Sequence, residues 1–287
     1  MNNLIKPART YFHSICFLLI SIFFVSCSSQ STRPPTVEEK KAGLYFEEGT
    51  NLLVEKNFQE AMINFLKAKE LDPKREDIRI NLATSYYLRK QPELAIGELK
   101  ELLSQNPKNT RAKQNLAVIF LEKKQINDAK KLLQEALKDL TYRELEGLHY
   151  NLAIAYLKEG DRYNAIEELK LSLKEKDYYC PAHFKLGEIY SEEFKYQSAL
   201  ESFKDSVKGT CFNDVKSHYH IAVTHLNLNQ KKLAESKFQY IVEKFPKTEY
   251  SVLAQKELQR IARSSAREEE LLKTELLPNQ QFRSPEF

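Results

Sequence analysis

Tryptophan is missing from the 287 residues, and glycine (seven), cysteine (four) and methionine (two) are scarce. So few glycines leave no Gly-rich loop to cradle a nucleotide phosphate and too few turn residues for a β-sandwich. HExxH, GxSxG, P-loop and paired-cysteine motifs do not occur, so nothing points to an enzyme or a bound cofactor. Basic residues (44) and acidic residues (40) are interleaved, and no basic face suits nucleic acid. Long hydrophobic runs are missing too, with one exception near the N-terminus. What remains is rich in Leu, Lys, Glu and Ala, a composition that favours helices.

The exception spans residues 15–25 (ICFLLISIFFV), preceded by Lys6 and Arg9 without an acid and followed by Ser26-Cys27-Ser28. A basic start, an apolar run of 11 residues and a small residue before the cut describe an export signal over residues 1–26. The run is too short to cross a hydrocarbon core, which takes roughly 17–25 residues. Phe24-Val25-Ser26-Cys27 resembles the lipobox of bacterial lipoproteins, with Phe where Leu is usual three places before the cysteine. The resemblance implies that Cys27 becomes an acylated N-terminus, and that Ser28 directs the protein to the outer membrane. Several acyl chains anchor stably where one is marginal. Removing residues 1–26 lowers the net charge from +4 to +2. Residues 27–41 are polar, contain Pro34-Pro35 and read as a flexible tether.

Beyond the tether a pattern recurs. Gly49-x2-Leu52, Ala61-x3-Phe65 and Pro73 return as Ala83-x2-Tyr86, Ala95-x3-Leu99 and Pro107. Further copies carry Ala117 and Ala129, Ala153 and Ala165, Gly187 and Ala199, and Ala222 and Ala234. Copies start near 42, 76, 110, 146, 180 and 215, in steps of 34, 34, 36, 34 and 35 residues. Small residues let paired helices approach closely, and Pro73, Pro107 and Pro246 end second helices. The pattern resembles the tetratricopeptide repeat. It implies an all-α superhelical solenoid of six helix-turn-helix repeats over residues 42–248, each burying its face only by stacking on the next. A capping helix over 249–276 and a disordered tail over 277–287 complete the expected layout.

In such a solenoid the first helices line the concave side, where offsets i, i+4 and i+7 share a face. These offsets hold Phe46, Thr50, Leu53; Ile80, Thr84, Tyr87; Gln114, Val118, Leu121; Tyr150, Ile154, Leu157; Phe184, Glu188, Ser191; and Tyr219, Val223, Leu226. Only Glu188 is charged, far below the 29% of the whole chain. Two readings follow: a groove for an apolar or amphipathic segment of a partner, or tight curvature that buries these positions as packing. The Lys and Asn clamp of chaperone-binding relatives is missing.

His149, His183 and His218 occupy the fourth place of successive repeats, where the family packs a large residue. Stacked hairpins hold such places roughly 10 Å apart, too far to share a metal. His220 falls on another helix face than His218 and His225. Cys180 opens the fifth repeat and Cys211 ends it, at one edge of the same hairpin. Export favours a disulfide between them, and two free thiols remain the alternative.

A lipidated cysteine, a short tether and six repeats resemble the PilF/PilW/Tgl group of outer-membrane lipoproteins. The cysteines flanking HFKLGEIY and the closing FPKTEYSVLAQKEL resemble Tgl in particular. The resemblance implies an outer-membrane protein, lipid-anchored and facing the periplasm, that binds a secretin monomer in type IV pilus biogenesis. FPKTEYSVLAQKEL also resembles BamD, of the machine that inserts outer-membrane barrels, although the regular 34-residue spacing differs from its repeats. A third resemblance is to NlpI, an adaptor for cell-wall enzymes.

Overall fold

The computed structural model describes residues 33–275. The export signal, Cys16, Cys27 and the tail 277–287 lie outside the described residues. Twelve helices form six hairpins: α1 (Val37–Val54) with α2 (Phe58–Leu71), α3 (Glu76–Leu88) with α4 (Pro92–Gln105), and α5 (Thr110–Glu122) with α6 (Ile126–Ala136). They continue as α7 (Leu145–Glu159) with α8 (Arg162–Glu175), α9 (Cys180–Glu192) with α10 (Tyr196–Asp205), and α11 (Val215–Asn227) with α12 (Lys231–Lys244). A last helix, α13 (Glu249–Glu275), packs on α12 through Ala254 and Ile261 and caps the stack. Contacts run from each helix to the next in sequence, and from one first helix to the following first helix. That pattern is a solenoid.

The small residues sit at the helix crossings. Ala61, Ala83, Ala95, Ala117, Ala129, Ala153, Ala165, Ala199, Ala222 and Ala234 are at most 1% exposed. At Gly187 the opposing ring of Phe203 is so close that an added Cβ would lie 2.5 Å from it. The ring takes the volume that a larger residue on α9 would need.

One expectation needs correcting. Residues 37–41, read as tether, belong to the first turns of α1. Thr36 and Glu39 form a capping box: the Glu39 amide donates to Thr36 Oγ1 (3.1 Å) and the Thr36 amide donates to Glu39 Oε2 (2.8 Å). Arg33 pairs with the same carboxylate at 2.5 Å. The Thr-x-x-Glu signal was in the sequence, but the apolar periodicity that usually accompanies it was not.

Every hairpin turn reverses the chain through one residue with positive φ: Lys56 (62°), Lys90 (62°), Lys124 (61°), Gly160 (84°), Phe194 (58°) and Asn229 (56°). Only the fourth repeat uses glycine, the residue that enters this region without Cβ strain. Phe194 is the least suited occupant and is 77% exposed, so little packing offsets its strain. Phe194→Gly is expected to stabilise the chain by about 1 kcal/mol. An unchanged or lowered midpoint in urea would contradict this.

The stack is held between helices mainly by packing, and the most deeply buried ion pair is in the second repeat. Arg79 on α3 is 2% exposed and donates to Glu98 Oε1 (2.6 Å) and Gln105 Oε1 (3.0 Å) on α4. Lys69 on α2 donates to the other Glu98 oxygen at 2.7 Å, so one buried carboxylate ties three helices.

Candidate functional site

Of the eighteen positions assigned to the first-helix face, Ile80 (3%) and Leu121 (4%) are buried and the other sixteen are half-buried. Packing therefore accounts for part of this face. At the first offset, packing dominates. Phe46 meets Phe65 at 5.9 Å, Phe184 meets Phe203 at 5.4 Å, and Tyr219 meets Phe238 at 5.7 Å between ring centroids. Tyr150 meets Tyr179 edge-on at 5.8 Å, the next repeat supplying the partner. These rings are the outer layer of the core, with one side left open.

The second and third offsets are less committed. Ile154, Leu157, Val223 and Leu226 pack against core clusters from outside. Val118, alone among the apolar groove positions, belongs to none of those clusters. It lines a cavity of about 170 Å³ between α3 and α5, with Thr84, Tyr87, Leu88, Leu99, Asn115 and Ile119. A cavity of about 150 Å³ accommodates a benzene ring, so this one has room for a large apolar side chain. Thr84 donates to Ile80 O (2.9 Å) and accepts from Asn115 at 3.4 Å, placing a hydroxyl and an amide at the rim. Tyr87 donates to Glu122, and burial together with that carboxylate pushes its phenol up to about 12. It remains a donor at neutral pH.

Farther along, the face carries charge that sequence offsets alone did not reveal. Glu188 is paired with Lys185 and, at 3.4 Å, with Lys216. The Lys216 ammonium also sits 4.1 Å from the centre of the Phe184 ring, a cation–π geometry. Burial raises the Tyr150 phenol, and burial followed by the Tyr150 and Glu146 charges pushes Tyr179 up to about 12. Lys185 lies one place after Phe184, and Lys216 three places before Tyr219. A wider window on the same helix would have found them.

The fourth-place histidines do pack between helices, and the structure adds a polar partner for each. His149 Nδ1 lies 2.7 Å from Glu168. His183 Nε2 lies 2.7 Å from Asp177 O, with Asp205 at 4.0 Å from its other nitrogen. His218 is 2% exposed, bonds Phe212 O at 2.7 Å through Nε2, and is enclosed by Phe212, Tyr240 and Phe245. Burial pulls its pKa below the usual histidine value, and burial does the same to His220 among Phe184, Phe203 and Tyr219. Arg79 and Lys113 hold the same place in the second and third repeats, and Lys113 approaches Glu135 at 3.7 Å. A basic side chain on the first helix near an acid on the second thus recurs in repeats two to five. Among the described residues, no group of three or more His, Cys, Asp or Glu could hold a metal ion. None of the described helices is long and apolar enough to cross a membrane.

Cys180 and Cys211 form a disulfide with Cα atoms 6.5 Å apart. It closes the fifth hairpin at the edge opposite its turn.

Comparison with known proteins agrees with this geometry. Models of the tetratricopeptide repeat match residues 87–141 and 147–177. The type IV pilus assembly protein PilF of Pseudomonas aeruginosa is 23% identical over 189 residues, covering 64% of this chain and 75% of PilF. The solved structure of P. aeruginosa PilF superposes with a TM-score of 0.62 at 22% identity, over 78% of this chain and 99% of that one. PilW, described as a widely conserved type IV pilus biogenesis factor, superposes with a TM-score of 0.64 at 18% identity, over 77% and 98%. The chain is a tetratricopeptide-repeat solenoid, similar in sequence to PilF and in fold to PilF and PilW.

Proposed function

We propose that this protein is a lipid-anchored scaffold of the outer membrane, facing the periplasm, that assists assembly of the type IV pilus secretin. The observation that carries the reading is the similarity to a type IV pilus assembly protein along most of the chain. It is supported by the lipobox-like Phe24-Val25-Ser26-Cys27 and by first-helix offsets of which only Glu188 among eighteen is charged. Acyl chains on Cys27 would hold the solenoid at the membrane surface, and stable anchoring takes more than one chain. The cavity beside Val118 would receive an apolar side chain of an amphipathic secretin segment, the neighbouring half-buried rings extending the contact. A monomer held this way reaches the membrane where its multimerisation is productive.

Deleting the gene and blotting outer membranes for heat- and detergent-resistant secretin multimers tests the proposal. Multimers are expected to vanish while monomers persist, and a lipidated copy should restore them. Persisting multimers would end the secretin reading, and a general loss of barrel proteins would point instead to a BamD-like role.

The groove is tested by Val118→Glu, because this side chain is the one least engaged in the core. Placing a carboxylate in an apolar cavity is expected to weaken partner binding at least tenfold, for a charge must be desolvated to fit. Helical circular dichroism should be unchanged. Full restoration of multimers by this variant would remove the cavity from the mechanism.

A further inference from the structure

The capping helix is longer than capping needs. Ile261 is its last buried side chain, yet α13 continues for fourteen residues to Glu275. Every described side chain from 262 to 273 is exposed. At 1.5 Å per residue this overhang is about 21 Å long. Among the described residues, Lys231 ties it to the solenoid, 3.5 Å from Ser264 and 3.4 Å from Glu268.

The charges along the overhang are ordered. Arg263 and Arg267 come first, then Glu268, Glu269 and Glu270. Glu268 is engaged by Lys231, and Glu269 by Lys273 at 2.6 Å. Among the described residues, Arg263, Arg267 and Glu270 have no ion-pair partner, and their spacing of i, i+4, i+7 puts them on one face. That face is cationic toward the solenoid and anionic toward the free end. A parallel neighbour would set like charges together. An antiparallel copy of the same segment, in the register that faces residue 267 with residue 270, sets Arg267 of each chain against Glu270 of the other, with Arg263 one turn beyond.

We propose that the overhang of α13 is a self-association surface, which pairs antiparallel with the same segment of a second copy about a two-fold axis. Such an interface is isologous, so one self-complementary pattern satisfies both chains. Exposed ion pairs contribute little energy but select orientation, as flanking charges do in coiled coils. Two helices about 21 Å long bury far less than the ~1,200 Å² of a standard stable interface, so the dimer is weak and salt-sensitive. The proposal does not depend on what the first-helix face binds.

The test uses two differently tagged copies of the full chain, co-expressed and extracted in mild detergent at low salt, with recovery of one tag through the other as the readout. The natural pair should co-precipitate. Arg263→Glu/Arg267→Glu paired with itself should fall at least tenfold, and so should Glu270→Arg paired with itself. The two reversed chains together should recover the natural level, because the complementarity is re-created with opposite signs. All three side chains are exposed, so helix content should not change. Co-precipitation that neither reversal alters, or no recovery of a second copy at all, would overturn the proposal. The second result would leave residues 276–287 of the same chain as the segment to examine over this face.

Discussion

Arg79→Ala is expected to cost about 3–5 kcal/mol of stability, the range for removing one partner of a buried ion pair. For a chain of this size that lowers the thermal midpoint by on the order of 10 °C. The reason is what stays behind. Glu98 is 8% exposed and accepts from both Arg79 and Lys69. With the guanidinium gone, Lys69 alone balances a carboxylate that water barely reaches, and Gln105 loses its donor. The Nη2 atom also lies 3.1 Å from Glu101, although it is not aligned for a hydrogen bond. Arg79→Met combined with Glu98→Leu should recover most of the loss, because well-packed apolar residues often equal or exceed a buried pair. Calorimetry on the single and double variants separates the two cases. A single variant as stable as the natural chain would show that Glu98 finds water or another cation.

Arg79 also marks where the sequence stopped being legible. The small residues, the aromatic partners and the prolines repeat with the helix hairpin, so the six-repeat fold can be read from their spacing alone. A fourth-place residue was legible only as something large between helices. Whether it meets an acid depends on which second-helix position faces it, and that position varies. Arg79 and His149 reach acids nineteen residues on, whereas Lys113 and His183 approach acids twenty-two residues on. A pairing that slips by one helical turn between repeats leaves no fixed offset to recognise.

The candidate site was legible to a similar depth. Offsets i, i+4 and i+7 identify the face, because that follows from helical geometry. They do not say how far each side chain is covered, since coverage depends on the neighbouring repeat. Phe184 and Val118 share that face in the sequence, at the first and second offsets. Phe184 is packed on Phe203 and covered by Lys216, whereas Val118 faces a cavity. Gly187 lets the Phe203 ring advance beneath Phe184, whereas the cavity beside Val118 is lined by Ala83 and the smaller Leu99 of the second repeat.

The disulfide should have an effect as large as that of Arg79, and a more local one. Cys211→Ser is expected to cost about 3–4 kcal/mol in the chain-entropy model, given the 31-residue separation of the bonded cysteines. The first two repeats end their second helices at Asp72-Pro73 and Asn106-Pro107, short turns that fix the entry to the next hairpin. The fifth has no such proline. Its connection runs from Ser206 to Asp214 through a short 3-10 turn at Gly209–Cys211, and the disulfide pins that turn to the start of α9. Because each repeat touches only its neighbours, the loss should stay near the break. Hydrogen exchange in α9, α10 and α11 should accelerate by at least tenfold, while α3 to α6 keep the protection of the natural chain. Reducing the natural chain should reproduce the effect, and reducing the Cys211→Ser chain should add nothing. A uniform rise in exchange from α1 to α13 would mean that the six repeats unfold as one cooperative unit, with the disulfide stabilising all of it.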